Sequence, residues 1–149
     1  MTRSKRMQSV AGIAKNKEKN AARLLGQKRQ FLEQQRQRLL ELVGYREEYT
    51  KKFQTSGSQG LNARQLNEYR VFLEKLNLAI VQQRDRINQI TGECHVCQKT
   101  WLASRTNSKV MDKVVDRYKI EELRLQDKKE QKDLDERATR LGLSVFADN

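Results

Sequence analysis

Apolar side chains recur through the second half of the chain at alternating spacings of three and four residues. The ladder starts at Leu66 and runs through Tyr69, Leu73, Leu76, Ile80, Ile87, Ile90, Cys94, Cys97, Trp101, Met111, Val115, Tyr118 and Leu125. Gln83, Ser104, Ser108 and Glu122 occupy rungs without shifting its phase. A mean repeat of about 3.5 residues holds a narrow stripe on one side of a helix, and a stripe that narrow requires a second helix to cover it. The first half carries a weaker version. Leu25, Leu32, Leu39 and Phe53 form one rail, and Ala21, Leu42 and Tyr49 form the other, interrupted by Lys28, Gln35 and Arg46. Upstream, Val10, Ile13 and Ala14 drift out of that register. The pattern predicts a helix over about residues 5–54 and a second over about residues 62–140, in a single coiled-coil domain covering 1–149.

Between them lies Thr55-Ser56-Gly57-Ser58-Gln59-Gly60, two glycines and two serines in six residues, which marks a turn. Asn62 is a good N-cap with Gln65 three residues on, the arrangement of a capping box, and Leu61 and Leu66 are spaced for a hydrophobic staple. A short loop joins long helices as antiparallel neighbours. The expected fold is therefore all-α: a long antiparallel two-helix coiled coil, a helical hairpin whose second helix is the longer. A turn centred near Ser58 places Tyr49 beside Leu66 and Leu42 beside Leu73. It leaves the chain beyond about residue 112, Tyr118 and Leu125 included, without a partner, and Gly142 offers a stop. That overhang frays, pairs with a second copy, or waits for another protein. The tail from Leu141 to Asn149 has no assigned place.

Composition agrees. There is no proline, 34% of residues are charged and 6% aromatic, and 36% are hydrophobic, too few for a thick core. Neither a secretory signal nor an apolar run of the ~20 residues a membrane span needs is present, which reads as a cytoplasmic or peripheral protein. The net charge is +12, concentrated at the N-terminus in Arg3, Lys5, Arg6, Lys15, Lys17, Lys19 and Arg23. Such a cluster meets something acidic: nucleic acid, anionic lipid or protein.

Candidate chemistry is sparse. Cys94-His95-Val96-Cys97 has the residue types of a metal or redox site, but His95 is the only histidine and no second Cys/His pair exists. Both cysteines also fall on the seam, where free cysteine acts as a small hydrophobe. No phosphate loop, nucleophile–base pair or carboxylate pair is visible. A coiled coil offers little pocket, so no enzymatic activity and no cofactor is expected. Near the turn the apolar surface widens. Tyr45, Phe72 and Ala79 lie off the seam beside Leu42, Tyr49 and Leu76. They either thicken the packing or form a partner site, for which tyrosine and phenylalanine are favoured anchors.

The chain resembles the FliJ family, soluble stalk components of the bacterial flagellar type III export apparatus. The likeness rests on Ala21-Ala22-Arg23-Leu24-Leu25-Gly26, Tyr45 with Glu48-Tyr49, Asn67-Glu68-Tyr69 with Phe72, Leu76 with Ala79-Ile80, and the stretch from Asp127-Lys128-Lys129 to Asp133. The resemblance implies an antiparallel coiled coil like the central stalk of rotary ATPases. Its termini would enter the hexameric export ATPase (FliI), and its turn-proximal patch would contact the linker of the export gate protein FlhA. It would also cycle empty export chaperones, peripherally on the cytoplasmic face of the inner membrane at the flagellar base. The implied gate-binding residues are Leu42, Tyr45, Tyr49, Phe72, Leu76 and Ala79; Arg38 and Gln83 depart from the family pattern at its polar edge. Two rivals follow from the residues alone. One is a basic nucleic-acid-binding coiled coil, whose affinity would fall steeply with salt. The other is a dimer formed through the overhang.

Overall fold

The computed structural model describes residues 1–147. It consists of two helices, α1 (Arg3–Ser58, 56 residues) and α2 (Ala63–Ala147, 85 residues). The all-α class and the longer second helix are those the apolar ladder predicts. Two compact units make up the chain. One contains Lys19–Leu102, the other Met1–Glu18 with α2 from Ala103 onward.

In the Lys19–Leu102 unit, α1 and α2 run antiparallel. Leu25, Leu32, Leu76, Ile80, Ile90 and Cys94 are buried, and Leu39, Leu42, Tyr49, Phe53, Tyr69, Leu73 and Ile87 half-buried. These are rungs of the two ladders, so the seam runs where the spacing put it. Its polar rungs are satisfied across the pair. Gln35, only 1% exposed, accepts two hydrogen bonds from Gln83 Nε2, at its backbone carbonyl (2.9 Å) and at Oε1 (3.0 Å). Lys28 Nζ reaches Glu93 at 2.9 Å. Arg46 donates to Asn77 at 3.3 Å. A polar layer in an apolar seam costs stability but disfavours other registers, since any slip would bury these groups unpaired.

The turn is shorter and later than predicted. α1 continues through Thr55, Ser56, Gly57 and Ser58 rather than ending near residue 54. Thr55 Oγ1 and Ser58 Oγ donate to the carbonyls of Lys51 and Thr55, which lets both hydroxyls sit on the helix instead of breaking it. Among the described residues Gly60 alone takes a left-handed backbone, φ +89°. Asn62 Oδ1 then accepts from the Gln65 amide at 2.8 Å while Gln65 Oε1 accepts from the Asn62 amide at 3.2 Å, closing the predicted capping box. Because the reversal occupies only residues 59–62, the helices pair about Gly60–Leu61 and not about Ser58. Tyr49 faces Tyr69 and Phe72 instead of Leu66.

In the terminal unit α1 keeps a seam on small residues, Ser4, Ala11 and Ala14, while Val10 and Ile13 are exposed. Ala14, expected to drift out of register with Val10 and Ile13, lies on the seam seven residues before Ala21; only Val10 and Ile13 leave it. Ser4 donates its amide (3.0 Å) and hydroxyl (2.7 Å) to the carboxylate of Glu122. The Arg3 guanidinium lies 5.6 Å from the centre of the Tyr118 ring. The overhang therefore begins after Glu122, not near residue 112, and Tyr118 is partnered. α1 starts at Arg3, so its first turn reaches Glu122 and Tyr118. From Leu123 to Leu143 every side chain is exposed, among them Leu123, Leu125, Leu134 and Leu141. α2 does not stop at Gly142. A helical glycine costs only about 1 kcal/mol relative to alanine, and no proline follows, so the helix carries most of the C-terminal tail. Asp148 and Asn149 lie outside the described residues. No helix among the described residues is long and apolar enough to cross a membrane.

Candidate partner-binding surface

The turn end of the Lys19–Leu102 unit is built from rings. Phe53 stacks on Tyr69 (centroids 3.5 Å apart, planes at 15°), Tyr69 on Tyr49 (5.1 Å, 10°), and Tyr49 meets Phe72 at 4.3 Å with planes tilted by 48°. Each ring comes from a position at or beside the seam. α1 and α2 supply them alternately, so the four form a zigzag across the pair. Such contacts add about 0.5–1.5 kcal/mol each beyond buried area. They hold the half-buried Tyr49 between Tyr69 and Phe72.

Phe72 is the outer end of that ladder, and Tyr45 stands beside it on α1. Tyr45 is 59% and Phe72 46% exposed. With Glu48, Tyr49, Lys52 and Leu76 they line an open hollow of about 180 Å³. Of the six residues proposed from the sequence, Tyr45, Tyr49, Phe72 and Leu76 thus converge on one hollow. Leu76 is a buried core residue that reaches it from below. Leu42 and Ala79 are half-buried and lie outside its lining. A second hollow of about 180 Å³ sits nearer the turn, between Phe53, Tyr69 and Leu61, with Lys52 and Gln65 at its edges. Its signal in the sequence is the pair of ladder residues Phe53 and Tyr69, whose spacing marks them as seam.

Another pair on this unit has no signal in the local sequence pattern. The Arg86 guanidinium lies 5.8 Å from the centre of the Phe31 ring, a cation–π contact on the same flank as Tyr45 and Phe72. Phe31 precedes Tyr45 by two heptads, and Arg86 follows Phe72 by two.

The opposite flank differs in kind. A shallow groove of about 390 Å³ is lined by Arg29, Glu33, Arg36, Thr91, Cys94, His95 and Gln98, with Leu32 beneath. Cys94 is buried against Leu32 and Ile90, and Cys97 is half-buried on the next seam rung. Among the described residues no three Cys, His, Asp or Glu side chains cluster as metal ligands do. The Glu93 carboxylate raises the Lys28 pKa above its ordinary value, first through their hydrogen bond and then through charge. In the terminal unit the Ser4 amide and then its hydroxyl hold the Glu122 carboxyl below the usual carboxylate range. Both carboxylates are accordingly acceptors committed within the fold.

Comparison with known proteins gives one consistent result. The family model described as flagellar FliJ protein matches residues 3–144. Two similar proteins are each called flagellar FliJ protein. The one from Escherichia coli (strain K12) is 26% identical over 135 residues, spanning 91% of this chain and 92% of that protein. The one from Salmonella typhi is 26% identical over 137 residues, spanning 92% and 93%. No solved structure matches.

Proposed function

The chain belongs to the flagellar FliJ family and is a non-enzymatic component of the flagellar export apparatus, and from that premise we propose that it serves there as a cytoplasmic stalk. In this reading the turn-proximal hollow docks on the linker of the export gate protein, and the uncovered stretch of α2 in the terminal unit engages the export ATPase ring. Association with the membrane is peripheral, through the gate, and empty export chaperones are handed on at the same station.

The observation that carries the proposal is the exposure of Tyr45 and Phe72 over a hollow whose floor, Tyr49 and Leu76, is fixed by packing. Tyr45 stands mostly in water and Phe72 about half in it, more apolar ring than a two-position seam uses. They match the anchors found at the centres of protein interfaces. The exposed leucines between Leu123 and Leu141 support the second contact. They stand on a helix whose charges are of both signs, so that nothing but the apolar edge selects a protein surface.

Two assays test this. The chain is mixed with the gate linker and with the export ATPase, and co-elution and phosphate release are followed. Tyr45→Ala is expected to weaken co-elution with the linker while leaving ATPase stimulation intact. Truncation after Glu122 should do the reverse. Failure of the intact chain to co-elute with either partner, or to alter phosphate release, would overturn the reading.

A further inference from the structure

The hollow is one end of a longer ridge. On α1, Leu24, Phe31, Arg38 and Tyr45 follow one another at intervals of seven, just outside the seam. Leu24 is 48% and Phe31 37% exposed, so the apolar rungs of this row stay open to water well beyond the turn. On α2, Phe72 and Arg86 occupy the equivalent outer position, two heptads apart, and the Phe31–Arg86 contact shows that the two rows share one flank of the Lys19–Leu102 unit. From Leu24 to Tyr45 the row spans three heptads, about 32 Å at 1.5 Å per residue.

We propose that this flank is the docking face for a third helix, acidic and amphipathic, with apolar residues at heptad spacing, seated from the Tyr45–Phe72 hollow to Leu24. The inference rests on reading the hollow as a docking site and extends it along the unit. A seven-residue repeat is matched by a helix and by no other regular element, because two turns of a helix return a side chain to the same face. The charge of the occupant follows from the charges between the apolar rungs. Arg38 and Arg86 interrupt the row, and Glu93, which lies on the same flank, is already held by Lys28. Carboxylates flanking an apolar stripe would meet both arginines, whereas a second copy of this basic chain would set arginine against arginine. The other flank, with Arg29 and Arg36 beside a polar groove, offers no such row of rings.

The probe is a fluorescent synthetic peptide of about 28 residues, four heptads with leucine on the seam and glutamate elsewhere, whose self-repulsion keeps it unfolded alone. It is titrated against the full chain by anisotropy and circular dichroism, beside a scrambled peptide and one with lysine for glutamate. Expected are saturable binding with a gain of helix, no binding by the two control peptides, and roughly tenfold weaker binding for Phe31→Ala and for Tyr45→Ala. Arg36→Ala on the other flank should change it less than about twofold, and Arg38→Gln should weaken it and flatten its salt dependence. Binding lost in Tyr45→Ala but unchanged in Phe31→Ala overturns the inference, as do equal binding of the scrambled peptide or no binding at all. Sedimentation showing a dimer that Phe31→Ala dissolves assigns the face to a second copy and also overturns it. A parallel titration with the gate linker separates the two readings. Linker binding that needs Tyr45 and ignores Phe31 preserves the proposed function and sinks the third helix. Peptide binding that needs Phe31, with no linker binding, does the opposite.

Discussion

Replacing Leu76, Phe72 and Tyr45 by alanine, one at a time, separates packing from presentation at the hollow. Leu76 is 8% exposed, and a buried leucine cut to alanine costs about 2–5 kcal/mol; a two-helix seam encloses it on few sides, which places it near the low end. Tyr45 is more than half exposed. Full burial of a large apolar side chain stabilises by about 1.5–3 kcal/mol, so its covered part contributes about 1 kcal/mol. Alanine's better helix propensity returns about half of that, leaving a net loss of about 0.5 kcal/mol. Phe72 falls between them. It is half covered and loses its contact with Tyr49, so about 1.5 kcal/mol is expected. Urea unfolding followed at 222 nm gives these values from midpoints at constant slope. Affinity for the gate linker should run in a different order, with Tyr45→Ala losing roughly tenfold despite its small cost in stability. A Tyr45→Ala midpoint shifted as far as that of Leu76→Ala would place the ring in the core and refute the division into floor and anchor. Unchanged linker affinity would refute its role as an anchor.

The polar layer should behave as a unit. Gln83→Leu strands the buried Gln35 side chain and is expected to cost about 1–3 kcal/mol, whereas Gln35→Leu with Gln83→Leu should be near neutral; additive losses in a double-mutant cycle would show the pair to be uncoupled. Two glycines in the same stretch should respond with opposite signs. Gly60→Ala forces an L-residue to φ +89° and should lose about 1–2 kcal/mol, while Gly57→Ala adds a methyl to an open helical position and should gain up to about 1 kcal/mol. Both are read from urea midpoints. The folded pKa of Glu122 lies below its unfolded value, so its contribution is fully present above about pH 4.3 and disappears as pH falls through the folded value. A carboxyl-carbon NMR titration should show a depressed midpoint that Ser4→Ala moves back toward the ordinary value.

What the sequence alone determined is the seam. Spacings of three and four from Leu66 onward, the absence of proline and the Asn62–Gln65 box fixed two antiparallel helices, because helix periodicity and capping are local and survive any change of partner. Tertiary structure decided the register. Thr55 and Ser58 could break a helix or bond back to its carbonyls; they do the second, and α1 runs on to Ser58 with Phe53 stacked on Tyr69 and the turn at Gly60. In the terminal unit the fold likewise decided the partners of Ser4 and Tyr118 and the start of the overhang at Leu123. Tyr45, Phe72 and their neighbours were legible as surplus apolar residues. Which of them is floor and which is anchor was not, since exposure depends on the rotation of each helix against the other. The Leu24–Phe31–Tyr45 row was equally present in the sequence. It became a surface only when Arg86 on α2 met Phe31 on α1, a contact 55 positions apart that no local pattern contains.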